Sequence, residues 1–213
     1  MAKKIIIVNG SPRNNQNTAQ MLKKAAQGAQ EAGAETKLVN LRDLQFHGCY
    51  SCFACKRLGA PTFGRCTYND ELKPILKEIH EEASGLLIGF PIYFGAASSD
   101  TAALMERLLF PYFDYSPEMK SLFNRKIPVG LIATMGAPQP GYFDKLLKDM
   151  QSWLSRTFGS CEVITAADTW QFPDYSKYAS SMFDPDHKKL VHETQFPKDL
   201  QAAYELGRRI ASK

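Results

Sequence analysis

Residues 4–9 read Lys-Ile-Ile-Ile-Val-Asn and run straight into Gly10-Ser11-Pro12. Four consecutive β-branched apolar side chains favour an extended chain and leave neither face of the strand polar. Such a strand has to be covered on both sides. That is the situation of an interior strand in a parallel sheet with helices above and below it.

The rest of the chain supplies the covering layers. Residues 17–32 place Met21, Leu22, Ala25, Ala26 and Ala29 on one helical side, and Gly33 stops the helix. A second strand is expected over 35–41. Asn69 or Asp70 can cap a helix carrying Leu72, Ile75, Leu76 and Ile79 at i, i+3, i+4, i+7. A third strand spans 85–90, where Pro91 is expected to end it, having no N–H for the ladder. Ser98 or Ser99 starts a helix to Leu109. A fourth strand covers 126–133, and Phe143, Leu146, Leu147, Met150 and Leu154 form another apolar stripe. A fifth strand is expected over 162–166 and a helix over 199–211. Five strand–helix alternations predict an α/β sandwich of three layers. Right-handed crossovers make the order 2-1-3-4-5 the natural one for its five-stranded parallel sheet. No repeat or linker interrupts it, so residues 1–213 read as a single domain, with two decorations. One is a loop over 43–69 that holds a cysteine cluster. The other is an aromatic arm over 169–196, placed to cover a ligand or a partner subunit, or to pack on its own domain.

Bulk properties exclude several function classes. The 26 Lys and Arg against 22 Asp and Glu leave a net charge of +4, and no basic run exceeds two residues. That is no nucleic-acid footprint. No apolar run approaches the roughly 20 residues of a membrane span. The apolar stretch at the start is too short for a secretory signal, so a cytoplasmic protein is expected. Five cysteines, an odd number, argue against a secreted disulfide framework.

In an open parallel sheet, ligands bind at the carboxyl ends of the strands where the strand order reverses, here between strands one and three. The loop there is Gly10-Ser11-Pro12-Arg13-Asn14-Asn15-Gln16-Asn17-Thr18-Ala19. Its chemistry suits a phosphate monoester. Ser11, Asn17 and Thr18 offer short donors, Arg13 offers a guanidinium fork, and the first-turn amides near Ala19 lack intrahelical acceptors. It is neither a dinucleotide fingerprint nor a Walker A loop. Taken alone, it also reads as a solvated turn with Thr18 as a helix cap. After strand three, Pro91-Ile92-Tyr93-Phe94-Gly95 offers a rim for a flat ring, or a pair of aromatics capping the core. After strand four, Thr134-Met135-Gly136 lets backbone approach a ligand closely.

Gly10-Ser11-Pro12-Arg13 with Asn17-Thr18, the triple Cys49-x2-Cys52-x2-Cys55, and Phe90-Pro91-Ile92-Tyr93-Phe94-Gly95 together resemble the NADPH-dependent FMN reductase family of flavodoxin-like proteins, its iron–sulfur flavoprotein branch included. The resemblance covers residues 3–167 and leaves the arm outside. It implies a flavodoxin-like fold with non-covalent FMN. The phosphate would lie on Ser11, Arg13, Asn17, Thr18 and the Ala19 amide, with the ring against Pro91 to Gly95 and the Thr134–Gly136 loop. It implies NAD(P)H as co-substrate, a small-molecule acceptor such as free flavin or a quinone, and a homodimer or homotetramer. Hydride chemistry then belongs to the cofactor, and no catalytic acid or base is nominated. His47 and His80 are assigned ordinary structural or solvated roles.

Cys49, Cys52, Cys55 and Cys66 leave three readings open: no metal, a [4Fe–4S] cluster or zinc. The ten-residue gap before Cys66 departs from the compact spacing of the iron–sulfur flavoproteins. Cys161 reads as a small core residue. The functional expectation is an FMN-dependent oxidoreductase. Its alternatives are an electron-transferring iron–sulfur flavoprotein and an FMN-free regulatory protein.

Overall fold

The computed structural model describes residues 2–213, so Met1 lies outside it. Five parallel strands form the main sheet: β1 (Lys4–Asn9), β2 (Glu35–Asn40), β3 (Gly85–Tyr93), β5 (Ile127–Thr134) and β6 (Gly159–Ala166). Their spatial order is β2-β1-β3-β5-β6. This is the expected 2-1-3-4-5 arrangement. A two-residue strand, β4 (Ala96–Ala97), folds back antiparallel on the end of β3 and accounts for the difference in strand count.

The apolar run of β1 behaves as its composition requires. Ile5, Ile6, Ile7 and Val8 are all fully buried. Ile5 and Ile7 pack with α1 (Asn17–Glu31) and α6 (Phe196–Ser212), through Met21, Leu22, Leu206 and Ile210. Ile6 and Val8 join the opposite core with Leu72 and Ile79 of α2 (Leu72–Glu81), Leu104 of α3 (Ser99–Leu109) and Leu154 of α4 (Asp144–Phe158). Each buried Ile or Val contributes about 1.5–3 kcal/mol, so the alternating faces of this one strand tie both layers to the sheet.

Several bounds shift by one to three residues, α6 starting at Phe196 rather than 199 among them, and three differences from the sequence reading have a physical reason. Pro91 does not end β3, because the strand continues to Tyr93. The Gly89 carbonyl points towards β1, where it accepts from the Gly10 amide at 2.8 Å. Pro91, two residues on, faces the same side, and β1 has already left the ladder there. A missing donor at that position breaks nothing. β6 begins three residues earlier than expected, at Gly159 (φ 107°), where α4 ends. The 169–196 arm contains a helix, α5 (Pro185–Thr194). Pro185 stands at its first turn, and Asp184 accepts from the amides of Asp186 and His187. Only Lys188 of α5 is buried, so no apolar stripe marked it.

α1 and α6 touch backbone to backbone. A Cβ on Gly28 would meet the Tyr204 carbonyl at 2.0 Å, and one on Gly207 would meet that of Ala25 at 1.9 Å. Gly207→Ala gains up to about 1 kcal/mol of helix propensity but forces the helices apart at a cost of about 1–3 kcal/mol. A lowered thermal midpoint in a melting experiment is expected. An unchanged or raised midpoint would contradict this packing.

Candidate functional site

The carboxyl ends of β1, β3 and β5 open onto three loops. The loop after β1 is fixed by short side chains. Asn9 Oδ1 accepts from the Ser11 amide at 3.0 Å, and Asn9 Nδ2 donates to Asn40 Oδ1 at 3.1 Å. Ser98 Oγ donates to the Gly10 carbonyl at 2.6 Å. Ser11 Oγ accepts from the Arg13 amide at 3.2 Å. Ser11, Asn17, Thr18 and Ala19 are buried, whereas Arg13 is exposed.

No side chain caps α1, and its first turn carries no acidic residue. Thr18 is therefore not a cap. Its hydroxyl meets that of Thr134 at 2.7 Å, both groups buried, and so joins the start of α1 to the end of β5. The first-turn amides and the positive end of the α1 dipole stay available for an anion. Asn14 Oδ1 is buried in the same loop with no donor among the described residues. These features fit a phosphate ester with hydroxyls nearby.

At the end of β3, Pro91 and Ile92 are buried in the sheet, while Tyr93 and the following Phe94 and Gly95 stand at the surface. Phe94 (φ 49°) and Gly95 (φ 76°) form a two-residue turn of the kind that tight hairpins use. A left-handed backbone at a bulky aromatic costs on the order of 1 kcal/mol or more. It holds the fully exposed Phe94 ring out from the sheet edge. After β5, the Gly136 carbonyl accepts from Lys188 Nζ at 3.1 Å, and Thr134 and Met135 are buried. The three loops named from sequence thus share one edge, with the Pro91–Ile92 pair beneath it.

A cleft of about 750 Å3 lies between α3 and α4, lined by Met105, Leu109, Tyr112, Met150 and Trp153 and reaching Ala96 and Ala97 beside the β3–β4 turn. No residue of the loop after β1 lines it. Exposed Tyr115, Met119 and Trp153 continue the apolar character of this flank.

The cysteine loop is pinned to α3. Arg107, almost fully buried, ion-pairs with Asp70 and donates to the His47 carbonyl at 3.1 Å. Its Nε lies 3.4 Å from Cys66 Sγ. Glu106 Oε2 accepts from the Cys49 amide at 2.9 Å. Lys56 Nζ donates to the carbonyls of Phe110, Pro111 and Phe113. Burial pushes the Asp70 carboxyl up, but the hydrogen bond and charge of Arg107 outweigh it and hold the group below the usual carboxylate range. Burial also raises the Cys55 thiol.

Cys49, Cys52, Cys55 and Cys66 border one cavity of about 20 Å3. That is room for a water, not for a cluster of four irons and four sulfides. Among the described residues no three Cys, His, Asp or Glu side chains form a metal-ligand group. As placed, the four thiols do not fit a [4Fe–4S] cluster or zinc, and no step below runs through either. His80 packs against Tyr112 and Phe123, with Nδ1 3.0 Å from the Tyr112 hydroxyl. Cys161 is buried in β6, and burial pushes its thiol up to about 12.

The model of the family described as NADPH-dependent FMN reductase matches residues 3–171. An iron–sulfur flavoprotein of Methanocaldococcus jannaschii is 32% identical over 138 residues, 65% of this chain and 64% of that protein. An iron–sulfur flavoprotein of Archaeoglobus fulgidus is 31% identical over 104 residues, about half of each chain. The chain thus spans about half to two thirds of the length of the curated relatives it matches. Among solved structures, an NAD(P)H:quinone oxidoreductase from Methanothermobacter marburgensis superposes with a TM-score of 0.66 at 15% identity, covering 98% of this chain and 96% of that one. An FMN-dependent NADH-azoreductase from Bacillus anthracis, in complex with FMN, gives 0.65 at 14% identity, covering 96% and 99%. At such identities the likeness establishes the flavodoxin-like fold. No helix among the described residues is long and apolar enough to cross a membrane.

Arg107→Met leaves a buried carboxylate unpaired and should cost about 3–5 kcal/mol at neutral pH. In the unmutated chain the Asp70 pair contributes above the unfolded carboxyl pKa, about 3.9, and its contribution is lost as pH falls through the lower folded value. In the variant the charge partner is gone while the burial penalty on the charged carboxylate remains, so protonation in acid relieves it. Urea melts at pH 7 and pH 3 should show the stability gap narrowing in acid; a gap that widens would refute the ion-pair assignment.

Proposed function

This chain belongs to the NADPH-dependent FMN reductase family, and from that premise we propose that it is an FMN-dependent oxidoreductase moving hydride from NAD(P)H to a small acceptor such as free flavin or a quinone. The observation that carries the reading is the uncapped N-terminus of α1 beside Arg13 and the buried Ser11, Asn17 and Thr18, on the edge where the β3 and β5 loops converge. FMN, when bound, supplies the hydride-accepting and hydride-donating chemistry.

The chain's own residues bind, orient and expose. Arg13 presents its guanidinium to the phosphate, and Ser11, Asn17, Thr18 and the Ala19 amide complete the cradle. Pro91, Ile92, the turn at Tyr93 to Gly95 and the loop from Thr134 to Gly136 would hold the ring. The exposed Phe94 would offer an aromatic face to a flat ring. No acid or base is needed from the protein.

Residues 1–213 act in this reading as one FMN-binding unit in the cytoplasm. The apolar flank between α3 and α4 supports a homodimer or homotetramer. The carrier reading is less favoured: the net charge is +4, whereas flavodoxin carriers are typically strongly acidic, and the cavity that the four thiols border does not fit a cluster as they are placed.

Purified protein titrated with FMN and assayed with NADH and NADPH against a quinone tests the reading, with iron measured on the same sample. Binding, steady turnover and no stoichiometric iron are expected. Failure to take up FMN would overturn it, and about four irons per chain would move the assignment to an iron–sulfur carrier. Arg13→Ala should weaken FMN binding at least tenfold, since a hydrogen bond to a charged group is worth about 1.5–3 kcal/mol. Unchanged affinity by fluorescence titration would remove Arg13 from the phosphate cradle.

A further inference from the structure

Two of the phosphate-loop donors are already engaged, and both bonds come from the same unexpected place. Asn17 Nδ2 donates to the Trp170 carbonyl at 2.8 Å, and an Arg13 terminal nitrogen donates to the Gln171 carbonyl at 2.9 Å. These carbonyls belong to the stretch that follows β6, where no helix or sheet fixes their direction. They can orient Asn17 and Arg13 only if something fixes them.

The fixing group is Tyr175. Its hydroxyl accepts from the Gln171 amide at 3.1 Å and donates to Gln171 Oε1 at 2.9 Å. Gln171 is thereby held through both its main chain and its side chain. The Tyr175 ring is buried and meets Trp170, Phe172 and Phe183 edge-on, with centroids 5.4, 5.3 and 6.3 Å away. A phenylalanine would provide all of that packing. The hydroxyl has work only at Gln171.

The stretch is anchored from its other end too. The Asp168 amide donates to the Ala137 carbonyl at 2.7 Å, and the Thr169 amide to that of Met135 at 3.0 Å. The Asp168 carboxylate pairs with buried Lys188, which also donates to the Gly136 carbonyl, and with His187 Nε2 at 2.8 Å. A Cβ at Gly136 would lie 2.0 Å from Gln171 Nε2. The loop after β5 has left space for this glutamine.

We infer that Tyr175 is a positioning residue of the phosphate site: by fixing Gln171 it aims Arg13, and through the adjoining Trp170 carbonyl Asn17, at the ligand's phosphate. A guanidinium has five N–H groups, and only one of Arg13's is occupied by Gln171, so most of the fork stays available. The inference rests on the phosphate reading of the loop after β1.

The test uses the full-length Tyr175→Phe variant, which keeps the ring. Dissociation constants for FMN and for riboflavin, which lacks the phosphate, are measured by fluorescence quenching, with Arg13→Ala alongside. Tyr175→Phe should weaken FMN by about tenfold while riboflavin changes by less than about twofold. The ratio of the two constants is the diagnostic quantity, because a general loosening of the fold moves both ligands together. Equal weakening of both, or no change in either, would overturn the inference. If Arg13→Ala also leaves the ratio untouched, the phosphate reading itself has failed; if Arg13→Ala shifts it and Tyr175→Phe does not, only the role of Tyr175 has. Should Tyr175→Phe not fold, Gln171→Ala removes the acceptor of the same hydroxyl at a half-buried position outside the aromatic cluster. It is held to the same ratio.

Discussion

The amide of Gly10 donates to the carbonyl of Gly89, and that bond is the last rung between β1 and β3. Beyond it the chain after β1 turns away, while β3 runs on through Pro91, paired with Thr134 of β5, to Tyr93. The split between diverging neighbours is what gives a parallel sheet a crevice at its carboxyl end. Its walls are set by short polar side chains, Asn9, Ser98, Thr18 and Thr134, each buried and each bonded to the loop or strand across from it. Burying such groups is tolerable only when they are paired. The same pairing makes the crevice a stiff frame for a ligand.

The two decorations of the sheet are built differently. The cysteine loop has almost no secondary structure and hangs from α3 by charge. Arg107 and Lys56 satisfy the carbonyls of the loop and of the α3 end, and Asp70 neutralises Arg107 in a dry setting. The arm after β6 is aromatic, and its buried Lys188 pairs with buried Asp168 beside the loop after β5. In the first case the charges hold a loop whose thiols lie about a water-sized space. In the second they fasten a segment whose carbonyls reach Arg13 and Asn17.

Most of the fold was legible because burial writes itself as periodicity. The run Ile5 to Val8 announced an interior strand, and Leu72, Ile75, Leu76 and Ile79 announced α2; all eight side chains are buried. The end of β3 was misread because a proline's cost depends on which neighbour its missing N–H would face, and that is a property of the assembled sheet. α5 was missed because it buries a lysine rather than an apolar stripe, although Asp184-Pro185-Asp186 carried a capping pattern. The residues of the loop after β1 could be named as a candidate site from their place between strand and helix. Gln171 and Tyr175 could not, because they act through main-chain carbonyls and one hydroxyl, and neither leaves a spacing in the sequence.

α1 leans on α6 without side chains between them at Gly28 and Gly207, and Tyr204 donates to Glu31 across 173 positions of chain. Contacts so distant in sequence are among the slowest to form, since a long loop must close before they repay anything. The helix that presents its amides at the crevice is therefore half-clad until α6 docks. During synthesis β1, α1 and β2 emerge early, yet α1 waits for nearly all of the remaining chain before its second wall arrives. The crevice matures late in folding, and a nascent chain stalled before α6 exposes the small-residue side of α1 as a sticky surface for whatever apolar partner is nearby.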